Sequence, residues 1–163
     1  MEKHSDLYLP HDTDKHYNHR DIYFLGRGLD YAVAMEGSLK LKEISYIHCD
    51  AYAGGELKHG PIALIDKGTA VITLLTQEAL KDKMISNVRE VSTRGGNIFA
   101  VVNEGDETSK EVVDSLVYIP KTIDLLTPMI SVVPLQLISY YVAKQKGCDV
   151  DKPRNLAKSV TVE

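Results

Sequence analysis

At 163 residues the chain has the length of one domain, and its 44% apolar and 26% charged content is ordinary globular usage, which excludes a disordered or collagen-like class. The formal net charge of −4, from 19 basic and 23 acidic residues spread along the sequence, leaves no basic stripe, so nucleic acid is not an expected partner. No apolar run reaches the roughly 20 residues of a membrane helix and MEKHSDLYLP lacks a signal-peptide core, so no membrane partner is expected and a cytoplasmic location is.

Residues 1–21 are polar, with Pro10 and four of the six histidines, and read as an N-terminal arm or linker. His4, His11, His16 and His19, near Asp12 and Asp14, have spacings that fit no standard metal site, so no metal is expected. Residues 22–25 (IYFL) form a β-prone run ending at Gly26-Arg27-Gly28, and Asp30 opens a helix over 31–47. Such a turn can bring amides to a phosphate, but a dinucleotide fingerprint wants a third glycine where Tyr31 stands, so no cofactor is expected. After a loop with Gly54-Gly55 and His59-Gly60-Pro61, residues 69–75 read as a strand covered on both faces. A helix over 77–93 ends at Gly95-Gly96, and strands follow at 97–102 and 115–120. A long apolar helix spans 128–145, with Pro134 near its first turns. This alternation predicts an α/β domain over 22–147, a parallel sheet with helices on both faces, followed by a polar tail at 148–163. Cys49 and Cys148 lack metal-ligand spacing and read as reduced thiols.

The first helix carries the most chemistry. At 100° per residue, Val33, Gly37, Leu41 and Ile44 make one apolar face and Ala32, Met35, Leu39 and Tyr46 another. Between them runs a strip of Glu36, Lys40 and Glu43, while Ser38, Lys42 and Ser45 are expected to face solvent. A carboxylate and an ammonium wedged between apolar faces lose water, and that is where acid–base groups acquire shifted pKa values. The same spacing also suits an ordinary surface pair, Glu36 with Lys40, stabilising by a few tenths of a kcal/mol. His59, before Gly60-Pro61, is either a ring presented at a fixed angle or a solvated loop side chain. Nothing in its surroundings singles out Lys158 in the tail.

Three segments, FLGRGLDYAVAMEGSLKLKEISYIH, AYAGGELKHGPIALI and DVDKPRNLAKSVTVE, occur in the order in which they stand in the glutamine:fructose-6-phosphate aminotransferase family, and from residue 22 onward the chain resembles the second of that family's two sugar isomerase (SIS) domains. The resemblance implies a three-layer αβα fold with a five-stranded parallel sheet. It also implies part of an enzyme that converts fructose 6-phosphate and glutamine-derived ammonia to glucosamine 6-phosphate, in amino-sugar biosynthesis. The family's glutaminase cysteine has no counterpart after Met1 and Glu2, and Thr76-Gln77-Glu78 is short of the hydroxyls with which the first SIS copy holds the sugar phosphate. By itself the chain is therefore expected to be inactive. Carried over by position, Glu43 matches the carboxylate that moves a proton between C1 and C2, and Lys40 the lysine that handles hydroxyl protons. His59 matches a ring-opening histidine supplied by the neighbouring subunit of a homodimer. Lys158 matches a lysine that forms a Schiff base with the open-chain ketose, and Ala157 a residue lining the sugar. Glu36 is left as a structural partner. A non-catalytic SIS module that binds sugar phosphate, as in regulators, is the other reading; the lysine-bearing tail favours the enzyme.

Overall fold

A computed structural model describes residues 21–155. The elements in chain order are β1 (Asp21–Gly26), α1 (Leu29–Ser45), β2 (His48–Ala53), β3 (Ala70–Leu75), α2 (Lys81–Thr93), β4 (Asn97–Asn103), β5 (Ser115–Ile119) and α3 (Thr127–Gln145). Short 3₁₀ turns at Leu57–His59, Pro61–Leu64, Glu78–Leu80 and Ser109–Glu111 join them. The five strands pair in the order β2-β1-β3-β4-β5, all parallel. This is the three-layer αβα architecture that the segments implied.

Alternation along each strand explains the layers, because successive side chains point to opposite faces. Ile22, Phe24, Ile72, Leu74, Phe99 and Val101 join Val33, Leu41, Leu135, Ile138 and Val142 in one core, under α1 and α3. Tyr23, Leu25, Val71, Leu75, Ile98 and Val102 join Leu57, Ile65, Met84, Val88 and Val91 in the other, under α2 and the 3₁₀ turns. All six residues of β3 are buried, as its unbroken apolar run predicts for a central strand.

Two expectations need correction. Residue-level reading finds four strands, and the fifth is β2, HCDAYA, in which only Cys49 is fully buried. It is an edge strand paired on one side to β1, so its composition never had to be apolar. On α1, Ser38 and Ser45 are buried, whereas Met35 and Leu39 are exposed. The serines can face the core because their hydroxyls donate to the helix's own carbonyls, Ser38 to Met35 O at 2.9 Å and Ser45 to Leu41 O at 2.6 Å. Lys42 is exposed, as expected.

The rotation of α1 is set by contact with α3. A Cβ on Gly37 would lie 2.5 Å from Leu135 Cδ1 and 3.1 Å from Phe24 Cε1, so the absent side chain lets helix, helix and sheet approach. The helix starts at Gly28, whose φ of 57° lies in the left-handed region that glycine enters without strain. No helix among the described residues is long and apolar enough to cross a membrane.

Candidate functional site: a charged strip and a braced loop

The strip on α1 exists as the spacing predicts. Lys40 Nζ donates to Glu43 Oε2 at 2.9 Å and lies 3.7 Å from Glu36 Oε1. The Lys40 side chain is 37% exposed and that of Glu43 25%, so water is only partly excluded within this chain. The hydrogen bond to Glu43 is the main cause that holds the Lys40 ammonium above the ordinary lysine range. Lys40 is therefore a cation at neutral pH, a proton donor or charge stabiliser and not a base. Glu43, with the ammonium drawn to one oxygen, keeps the other available to accept a proton.

Sheet order reverses between β1 and β3, and the carboxyl ends of those strands are where ligands bind in open parallel sheets. Asp30, in the first turn of α1, is buried there. Its carboxylate accepts Thr76 N–H at 2.8 Å and Gln77 N–H at 3.4 Å, and also takes the Thr76 hydroxyl. Burial pushes its pKa up, and the bonds from Thr76 and Gln77 oppose that rise. The amides that follow β3 are thus already occupied by a carboxyl group of the protein itself. Beside it a small cavity of about 130 Å³, lined in part by Lys81, Asn103, Asp106 and Lys121, opens at the ends of β3 and β4. Among the described residues no group of three or more His, Cys, Asp or Glu side chains is placed to hold a metal ion.

His59 is exposed, at the end of the first 3₁₀ turn beyond β2. It follows Leu57, which packs into the core on the α2 face of the sheet, and Lys58, which pairs with Glu90 of α2 at 2.8 Å. Glu43 lies on the last turn of α1, which packs on the other face, so within one copy of the chain His59 and the Lys40–Glu43 pair belong to opposite faces of the sheet. Ala157, Lys158 and the four histidines at positions 4, 11, 16 and 19 lie outside the described residues. Sequence reasoning passed over the Asp30–Thr76 latch and the bond between Arg27 and Asn87, partners 46 and 60 residues apart with no local pattern linking them.

A parallel five-stranded sheet of this order, helices on both faces and an acid–base pair on the first helix define a class of three-layer α/β domains. Family comparison narrows the class: the SIS domain model matches residues 16–144, and the chain belongs to the SIS domain family. It is 70% identical over 146 residues to a glutamine–fructose-6-phosphate aminotransferase (isomerizing) of Clostridium perfringens, covering 88% of this chain and 24% of that protein. To the enzyme of the same description from Clostridium acetobutylicum it is 63% identical over 147 residues, covering 90% of this chain and 24% of that protein. Among solved structures, the C-terminal domain of the Francisella tularensis glucosamine-fructose-6-phosphate aminotransferase superposes with a TM-score of 0.77 at 44% identity, covering 86% of this chain and 40% of that one. The chain thus spans about a quarter of the length of the curated relatives it matches.

Proposed function

We propose that this chain works as the second SIS domain of a cytoplasmic glutamine:fructose-6-phosphate aminotransferase, within a whole protein that makes glucosamine 6-phosphate. The observation that carries the reading is the Lys40–Glu43 contact of 2.9 Å, set on one helix strip of a chain 70% identical to an aminotransferase of that description. In this reading Glu43 takes the proton from C1 of the open-chain imine and returns it to C2. Lys40, held as a cation, supplies positive charge and a proton to the adjacent oxygen. His59 opens the sugar ring, Lys158 forms the Schiff base through its neutral amine with loss of water, and Ala157 lines the sugar. Since one copy carries His59 and Glu43 on elements packed against opposite faces of the sheet, the histidine of each site comes from a second copy, and the working unit is a homodimer. No cofactor or metal is required.

The test is a chimera in which residues 16–163 of this chain replace the matching segment of the Clostridium perfringens enzyme. We expect it to form glucosamine 6-phosphate, and Glu43→Gln in it to lower synthesis about 10²-fold or more while glutamine hydrolysis stays measurable. Near-normal synthesis by that variant removes Glu43 from the chemistry. An inactive chimera, with fructose 6-phosphate still bound by this chain, would favour the non-catalytic module.

A further inference from the structure

The loop carrying His59 is fastened along its length to two other elements. Gly54 N–H donates to Gly26 O at 2.9 Å, tying the loop's first residue to the end of β1. Arg27, next in the chain, lays its guanidinium against Gly54 and Gly55. A Cβ on Gly54 would lie 2.8 Å from Met84 Sδ, 2.9 Å from Asn87 Oδ1 and 3.3 Å from Arg27 Nε, and one on Gly55 3.3 Å from Arg27 Nη1. The guanidinium is itself held, since Nε and Nη2 both donate to Asn87 Oδ1, at 3.1 and 3.0 Å. Asn87 is 4% exposed on α2. One turn further along α2, Glu90 pairs with Lys58 at 2.8 Å, while Leu57, 0% exposed, is sunk in the core beneath. Past this bracing the His59 side chain is exposed, as are those of Glu56 and Lys58, and the His59 amide donates to Glu56 O at 3.0 Å.

We propose that Arg27, oriented by Asn87, is a positioning residue for His59: it is the platform that fixes where the loop leaves the sheet and so where the ring is presented. This rests on the reading that His59 acts on the sugar. A planar fork with two N–H groups on one acceptor sets both the position and the tilt of the surface under Gly54-Gly55, which an ammonium, a point donor on a flexible stem, does not. Gly54 is the tighter of the two positions under that surface, because its Cβ would come within 3 Å of Met84 Sδ and Asn87 Oδ1, while one on Gly55 would crowd the guanidinium at 3.3 Å. A small displacement of a group that must reach substrate is costly to rate and not to binding.

Two measurements decide it. In this chain, Arg27→Lys and Asn87→Leu should speed amide hydrogen exchange across residues 54–59 and leave α1 protected, and Asn87→Asp, which still accepts both N–H groups, should not. In the chimera, Arg27→Lys should lower kcat about 10- to 10²-fold with the KM for fructose 6-phosphate and the rate of glutamine hydrolysis nearly unchanged. His59→Ala is the reference, and the double variant should be no slower than His59→Ala alone, because one residue acts through the other. A loss from Arg27→Lys that persists in full on the His59→Ala background overturns the proposal, as does a silent Arg27→Lys. A silent His59→Ala instead overturns the reading of His59 beneath it, and the two failures are told apart by which single variant is silent.

Discussion

At the scale of single residues, two buried carboxylates should respond to pH in opposite directions. Burial raises the pKa of Asp30 above the ordinary carboxylate value, against the bonds from Thr76 and Gln77. A carboxyl raised on folding contributes stability that is full below its unfolded value and lost as pH rises through the folded one. Asp106 is also buried, but there bonds from Ser109 and Thr108 and the nearby Lys81 outweigh desolvation and lower its pKa. Its contribution is present above the unfolded value and lost as pH falls through the lower folded one. We expect Asp30→Asn to cost about 1–3 kcal/mol, since an amide oxygen in place of Oδ2 still accepts the Thr76 and Gln77 N–H groups but without the carboxylate's charge, and the NH2 in place of Oδ1 ends the bond that the Thr76 hydroxyl donates. Acidifying from pH 7 toward pH 4 should widen the gap between the parent chain and Asp30→Asn, while the gap to Asp106→Asn holds and then shrinks at still lower pH. Urea midpoints of the three proteins across that range measure both. A gap to Asp30→Asn that narrows on acidification would refute the account of Asp30. Burial also lifts the Cys49 thiol to about 11, which leaves it an inert core residue that donates to Ser38 O.

At the scale of elements, the seam between α1 and α3 depends on Gly37. Gly37→Ala places a methyl where Leu135 Cδ1 already stands, so the gain in helix propensity is outweighed by overpacking, and a net loss of about 1–3 kcal/mol in thermal or urea unfolding is expected. Leu135→Val on top of it should recover part of that loss, and an additive effect of the two would mean that the contact does not set the seam. The elements that sequence revealed were those whose pattern is local. β3 announced itself by an unbroken apolar run, and α3 by its length and apolar content. Lys40 and Glu43 were legible because three residues on a helix fix their proximity whatever the tertiary fold does. β2 was not, since an edge strand with one fully buried residue carries no periodic signal. The serine face of α1 was misjudged for a related reason: a hydroxyl that bonds its own helix loses its claim on water, and polarity then says nothing about exposure. The Arg27–Asn87 and Asp30–Thr76 bonds join distant segments, and only the assembled sheet brings them together.

At the scale of the whole molecule, several large apolar side chains among the described residues are exposed. Leu125, 74% exposed, and Met129, 72% exposed, project where the β5–α3 connection enters α3, with Ile123, Leu126 and Val133 beside them. On α1, which packs against α3, Met35 and Leu39 are exposed as well. Exposed apolar side chains gathered near one helix pair are a feature of protein interfaces. The proposed chemistry asks for such a partner on separate grounds. Glu43 is carried by α1, which packs on one face of the sheet, while the turn that bears His59 sinks Leu57 into the core of the other face. No rotation of side chains closes that separation within one copy. A two-fold pair closes it twice, because whatever brings one copy's His59 to the other's Glu43 brings the reciprocal pair together by the same symmetry. We therefore expect the 18.1 kDa chain to sediment as a concentration-dependent dimer at tens of micromolar, and Leu125→Glu with Met129→Glu to return it to a folded monomer whose unfolding temperature no longer depends on concentration. A dimer that survives both charges would place the interface on another face. A chain that stays monomeric throughout could not supply His59 in trans by itself, and the pairing would then have to be driven by the remainder of the longer protein that its relatives represent.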